Sequence, residues 1–270
     1  MKGATMGGVR PAAQAGRFYP ASSVRLQSDV NDYLAGAVPP EGPVPKAMIA
    51  PHAGYVYSGS VAAAAFVRLG PAHERIRRAV VIGPSHYEEF DGIVTSGLDA
   101  FATPLGVVPV DRAAREDVLG MPQVSVYEPA HQPEHSLEVE LPFLQTVLDE
   151  FRLVPLLVGR AGAAEVAEVL DRLWGGGETC VVVSSDLSHY LEYGVARRRD
   201  QATAEAIVGL RGDRLDGQCA CGHRAIAGLL AVARARGLRG ETLQLSNSAD
   251  AGGSRDRVVG YGAFAFGEPA

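Results

Sequence analysis

The sequence predicts an α/β domain with a mixed sheet, on three observations. Three runs that are apolar or rich in β-branched residues, Ala47-Met48-Ile49, Ala79-Val80-Val81-Ile82 and Cys180-Val181-Val182-Val183, read as strands buried on both faces. Stretches with helical spacing alternate with them, in the strand-loop-helix order of an α/β unit. The second run is followed by Gly92-Ile93-Val94-Thr95-Ser96 and Gly106-Val107-Val108-Pro109-Val110, two more extended stretches with no obvious helix between, so the sheet is expected to be mixed.

In chain order, residues 1–15 are small and Gly/Ala-rich and read as a flexible lead before one domain spanning 16–268. Gly16-Arg17-Phe18-Tyr19-Pro20 reads as a packing anchor for the N-terminal arm rather than as a wall of a cleft. Ser22 or Ser23 caps a helix running to Gly36, and the prolines of residues 36–45 mark a loop. After the first core strand, Gly54 and Gly59 permit tight turns, and Ser58 or Ser60 is placed to cap a small-residue helix over 61–69. Asp111 caps a helix to Leu119. Ser136 is expected to cap the next helix, on which Leu137, Leu141, Leu144, Leu148 and Phe151 form one face and Pro142 makes a kink. A strand over 152–159, a helix over 163–173 ended by three glycines, and the strand over 179–185 follow. Helices over 195–210 and 222–236 and two closing strands, 242–247 and 258–266, complete the chain.

Composition narrows the function. At 270 residues, 47% hydrophobic and 21% charged, the chain can bury a large core and is not disordered by composition. With 25 basic against 31 acidic residues and no basic stripe, nucleic acid is not an expected partner; Arg197-Arg198-Arg199 reads as a solvated helix face. No run reaches the about 18 apolar residues of a membrane span. Three cysteines are too few for a disulfide framework, and a reducing cytoplasm is the expected setting.

The chemistry concentrates in four short motifs: Ala50-Pro51-His52-Ala53-Gly54-Tyr55, Gly83-Pro84-Ser85-His86, Ser184-Ser185-Asp186-Leu187-Ser188-His189, and Cys221-Gly222-His223. In an open α/β sheet the carboxyl ends of neighbouring strands meet at one crevice, where ligands bind. His52, His86 and His189 lie just past buried strands and Cys221 at a helix start, a donor set suited to a metal. A helix dipole there would lower the Cys221 thiol pKa and favour the thiolate that metals bind. Asp186 is open to three roles: helix cap, ligand, or the partner that fixes a histidine tautomer, with the last preferred. His135, within Glu134-His135-Ser136, is a candidate acid/base or substrate contact, while His73, His131 and His223 read as ordinary surface or core histidines. Cys219-Ala220-Cys221 has the wrong spacing for a zinc knuckle. Neither Ser85 nor Ser185 sits in a G-x-S-x-G elbow, and no dinucleotide or P-loop glycine motif is present.

Together with Ala15-Gly16-Arg17-Phe18-Tyr19-Pro20 and Glu134-His135-Ser136, these motifs, in register over nearly the whole chain, resemble the Memo family. The resemblance implies the three-layer α/β/α sandwich of the class III extradiol ring-cleavage dioxygenases, which hold non-haem iron with two histidines and a carboxylate. Carried over by motif, His52 and His86 match the metal-binding histidines, Cys221 stands in place of the carboxylate, and His189 matches a fourth position that is either ligand or base. Bacterial and archaeal members resemble protein B of the AmmeMemoRadiSam system, whose implied partners are an AMMECR-like and a radical-SAM protein. One departure follows Cys221-Gly222, where Ala225-Ile226 replaces the family's Pro-Ile. The expectation is a metal-dependent oxidoreductase of unknown substrate with iron, copper or zinc. Its alternative is a non-catalytic module that uses the same cleft for a peptide or protein.

Overall fold

The computed structural model describes residues 7–38 and 42–268. Residues 1–6 of the expected lead, and residues 39–41 of the expected proline-rich loop, lie outside the described residues. The elements begin with β1 (Val9–Arg10), α1 (Ser23–Gly36), β2 (Ala47–Ala50), α2 (Tyr55–Phe66) and β3 (Arg78–Pro84). Then come β4 (Ile93–Thr95), β5 (Ala100–Thr103), β6 (Gly106–Pro109), α3 (Arg112–Leu119), β7 (Val124–Val126), α4 (Glu128–His131) and α5 (Leu141–Val147). The last third holds β8 (Arg152–Val158), α6 (Ala163–Arg172), β9 (Thr179–Ser184), β10 (His189–Leu191), α7 (Tyr193–Val208), α8 (His223–Ala235), β11 (Arg239–Asn247) and β12 (Val258–Gly267).

The main sheet runs β10-β12-β2-β9-β3-β8-β4-β7, with β11 on β12. Its centre, β2-β9-β3-β8, is parallel, and it is flanked by antiparallel β12 and β4, so the sheet is mixed as expected. Alternate residues of the central strands serve opposite faces. Met48, Val81 and Val182 pack with α1, α2 and α5, whereas Ile49, Ile82 and Val183 pack with α6, α7 and α8. Two apolar cores thus lie on either side of one sheet, which makes the α/β/α sandwich. Pro155, inside β8, falls between the pairing of Leu156–Val158 with β4 and the bridge from Leu153 to Val110, where a missing N–H is tolerated. No helix among the described residues is long and apolar enough to cross a membrane.

Three local expectations are corrected. Residues 7–15 are packed rather than a loose lead. Arg10 is 1% exposed, pairs with Glu138 at 2.5 Å, and donates to the carbonyls of His131 and Glu134 at 2.7 Å each. The helix after His52 begins at Tyr55 with Gly54 as its cap, not at a serine, because the Tyr55 N–H is taken by the Phe18 carbonyl. Ser136 does not cap a helix: its hydroxyl donates to the Pro84 carbonyl, a short 3-10 turn spans Glu138–Glu140, and Pro142 sits in the first turn of α5 instead of kinking it.

Candidate metal centre

Strand adjacency assembles the site. β2, β9 and β3 are neighbouring parallel strands, with Ala50 opposite Ser184 and Ile82 opposite Val183, so the residues just past their ends share one rim. That rim carries His52, His86 and the Ser184–His189 motif. The α8 N-terminus closes it from the side. A Cβ on Gly222 would stand 2.7 Å from that of Ser185, so only glycine lets this turn abut β9. The Gly222 N–H donates to the Ser185 hydroxyl at 2.9 Å, and the Cys221 Sγ lies 3.3 Å from His52 Nε2.

Three imidazoles converge there. Ring nitrogens of His52, His86 and His135 all lie within 4.8 Å of one another. His86 and His135 stack with centroids 4.4 Å apart, and His52 stands edge-on to both at 5.1 and 5.2 Å. His135, expected as an acid/base or substrate contact, thus falls inside the group that can share one ion. Cys221 approaches that group through His52.

Each ring is oriented from behind. Glu134 accepts from His86 Nδ1 at 2.8 Å and from the backbone N–H groups of His86, His135 and Ser136 at 2.6–2.9 Å. Burial alone would raise its pKa, but the hydrogen bonds and charge of His86 prevail and hold the carboxylate at about 2. His52 Nδ1 meets the Ser184 hydroxyl at 2.7 Å. His189 Nδ1 donates to the Leu187 carbonyl at 2.8 Å, which leaves its Nε2 free of hydrogen when the ring is neutral. Phe18 stacks on His135 at 4.4 Å while Tyr19 is buried beneath it, so the N-terminal motif is both anchor and cleft wall.

Electrostatics suit metal binding. Burial, then the neighbouring imidazoles, pushes His52 well below its ordinary pKa, and burial brings His135 to about 4. Both rings are neutral at pH 7 and offer lone pairs. His135 Nδ1 is buried 3.3 Å from Glu134 Oε1 in a geometry that makes no hydrogen bond, so its nearest polar neighbour is the carboxylate that also holds His86. The Cys221 expectation is reversed in sign: burial and then Asp186 raise its thiol to about 12, outweighing the backbone N–H contributions at the helix start. Asp186 also plays a different part from the one preferred. Its carboxyl accepts the His52 backbone N–H at 2.9 Å rather than an imidazole, and burial raises it to about 7.

Glu134 and Ser184, which orient His86 and His52, lie in motifs the sequence offers but carry no role there. The available signal was Glu134-x-x-x-Glu138-x-Glu140, three acids threaded through an apolar stretch. Such outer partners set the basicity and orientation of ligands. Glu134→Gln is therefore expected to weaken zinc binding by roughly 10–100-fold in calorimetric titration, with the fold intact by circular dichroism.

Known sequences resemble this one along nearly its whole length. A family model described as "Memo-like protein" matches residues 10–265. The chain is 36% identical to a "MEMO1 family protein" of Aquifex aeolicus, covering 94% of this chain and 97% of that one. It is 35% identical to one of Methanosarcina barkeri over 94% and 98%, and 30% identical to one of Nitrosopumilus maritimus over 96% and 99%.

Proposed function

This chain belongs to the Memo family, and from that premise we propose that its cleft is the metal centre of an oxidoreductase holding iron or copper. The observation that carries this reading is the convergence of His52, His86 and His135 within 4.8 Å, with the Cys221 thiol beside His52. His52 and His86 are the shared ligands, and Cys221 completes the set with His135 at hand as a further donor. A sulfur donor favours copper(I), iron or zinc over hard cations. Iron or copper, when bound, would supply electron transfer to a substrate or to dioxygen.

The chain's own residues supply the rest. His189 acts as the base, since its bare Nε2 is the proton-accepting atom and burial keeps the ring neutral. Asp186 holds the His52 backbone in place. Phe18 and Tyr87 flank His135 and restrict water at the mouth. The substrate is a small molecule that reaches the metal past these rings.

Purification without oxygen, followed by metal analysis of wild type, His52→Ala and Cys221→Ser, tests the assignment. Near-stoichiometric metal in wild type and its loss from His52→Ala are expected; equal metal in all three removes it. Oxygen uptake with catechols and thiols separates redox chemistry from zinc-assisted hydrolysis, which needs no oxygen. Capture of AMMECR-like or radical-SAM proteins that survives loss of His52 and His86 would favour the partner-binding alternative.

A further inference from the structure

Hydrogen-bond accounting behind His52 assigns a role to a buried acid that the metal chemistry leaves unused. The Ser184 hydroxyl has three partners: the Ser136 carbonyl at 2.5 Å, Glu140 Oε1 at 2.8 Å and His52 Nδ1 at 2.7 Å. A hydroxyl brings one hydrogen and two lone pairs. The Ser136 carbonyl can only accept, so the hydrogen goes to it; otherwise two oxygen lone pairs would face each other at that distance. Both remaining partners must then donate. His52 carries its hydrogen on Nδ1, and Glu140 is an un-ionised acid whose O–H points at Ser184.

The surroundings of Glu140 agree. It is 0% exposed, and its Oε2 is buried with no hydrogen-bond partner. An ionised carboxylate with one bare oxygen in a dry core is costly, and the nearby charge felt by Glu140 is that of Asp186, of like sign. Burial accordingly raises its pKa well above the usual carboxylate range.

We propose that Glu140 is a neutral positioning residue that, through Ser184, fixes His52 in the Nδ1–H form with the Nε2 lone pair turned toward Cys221 and the other two imidazoles. Its bearing on metal affinity rests on the reading of His52 as a ligand; the proton positions do not. The two histidines are thereby held by opposite devices, His86 by the ionised Glu134 and His52 by an uncharged relay. Of the two acids Glu134 and Glu140, one thus carries a negative charge behind the rings rather than both.

The direct test uses metal-free full-length protein at neutral pH. Two infrared contributions from protonated carboxyls are expected in wild type, one from Glu140 that Glu140→Gln removes and one from Asp186, at about 7, that it leaves, and nitrogen-15 NMR is expected to show His52 hydrogen on Nδ1. In zinc titrations Glu140→Gln, whose amide N–H donates to Ser184 as the acid does, is expected to stay within roughly twofold of wild type, while Glu140→Ala weakens binding by roughly tenfold or more. A carboxyl band unchanged in Glu140→Gln, a His52 hydrogen on Nε2, or a Glu140→Gln as weak as Glu140→Ala would each overturn the proposal. If Glu140→Ala does not fold, the infrared and Glu140→Gln results decide alone. Absence of metal binding by the wild type would instead count against the metal centre and leave the relay standing.

Discussion

Arg10→Met is expected to lower the unfolding free energy by about 3–5 kcal/mol, the usual consequence of stripping one partner from a buried ion pair. Arg10 and Glu138 are 1% and 0% exposed, so the carboxylate left behind has no water to turn to. Glu138 also accepts the N–H groups of Ala13 and Gln14 and the Tyr19 hydroxyl, which makes it the hub that fastens the N-terminal arm. Arg10 in turn donates to carbonyls of the 131–134 turn that presents Glu134 and His135. Urea denaturation checks the magnitude. The double variant Arg10→Met, Glu138→Gln should recover part of the loss, because the stranded charge is gone. A loss below about 1 kcal/mol would mean that the pair contributes no more than a surface one.

Zinc affinity of the wild type is expected to rise about tenfold per pH unit between pH 8 and 9, above the range where Asp186 titrates at about 7, and that of Cys221→Ser to be lower and nearly flat. The sign follows from the thiol. With its pKa pushed up to about 12, Cys221 is protonated throughout that range, and coordination must expel the proton. Raising the pH makes the expulsion easier by one factor of ten per unit. His52 and His135, held low by burial, are already deprotonated there and add no slope. Calorimetry at several pH values in buffers of different ionisation heat reads both the slope and the proton released. A slope that Cys221→Ser leaves unchanged would show that the ion rests on His52, His86 and His135 without sulfur.

The site was largely legible because its motifs sit at strand ends. His52, His86, Asp186 and His189 each follow a run of buried residues, and a run's end is visible locally. His135 is legible as a candidate acid/base or substrate contact, not as a member of the group that can share one ion. Its place beside the other two imidazoles depends on the Arg10 guanidinium, which comes from a distant segment, and on the Glu134 carboxylate, which also holds His86. The Cys221 pKa departs from the sequence expectation for a related reason. The helix start is where the sequence places it, yet desolvation and the Asp186 charge, both products of packing, outweigh the Ser185 hydrogen bond and the backbone contributions. The Arg10 arm leaves no local signature because small residues on either side conceal one buried cation.

Periodicity, strand-terminal histidines and family motifs, all properties of short stretches, were enough to establish the α/β class, the family and the residues that gather at the cleft. Tertiary structure alone decided which strands are neighbours, which imidazoles stand within reach of one ion, and which buried carboxyl is ionised and which neutral. Those outcomes depend on desolvation and on hydrogen bonds between segments far apart in the chain, such as Ser184 with Glu140 and His86 with Glu134, whose partners no local pattern encodes.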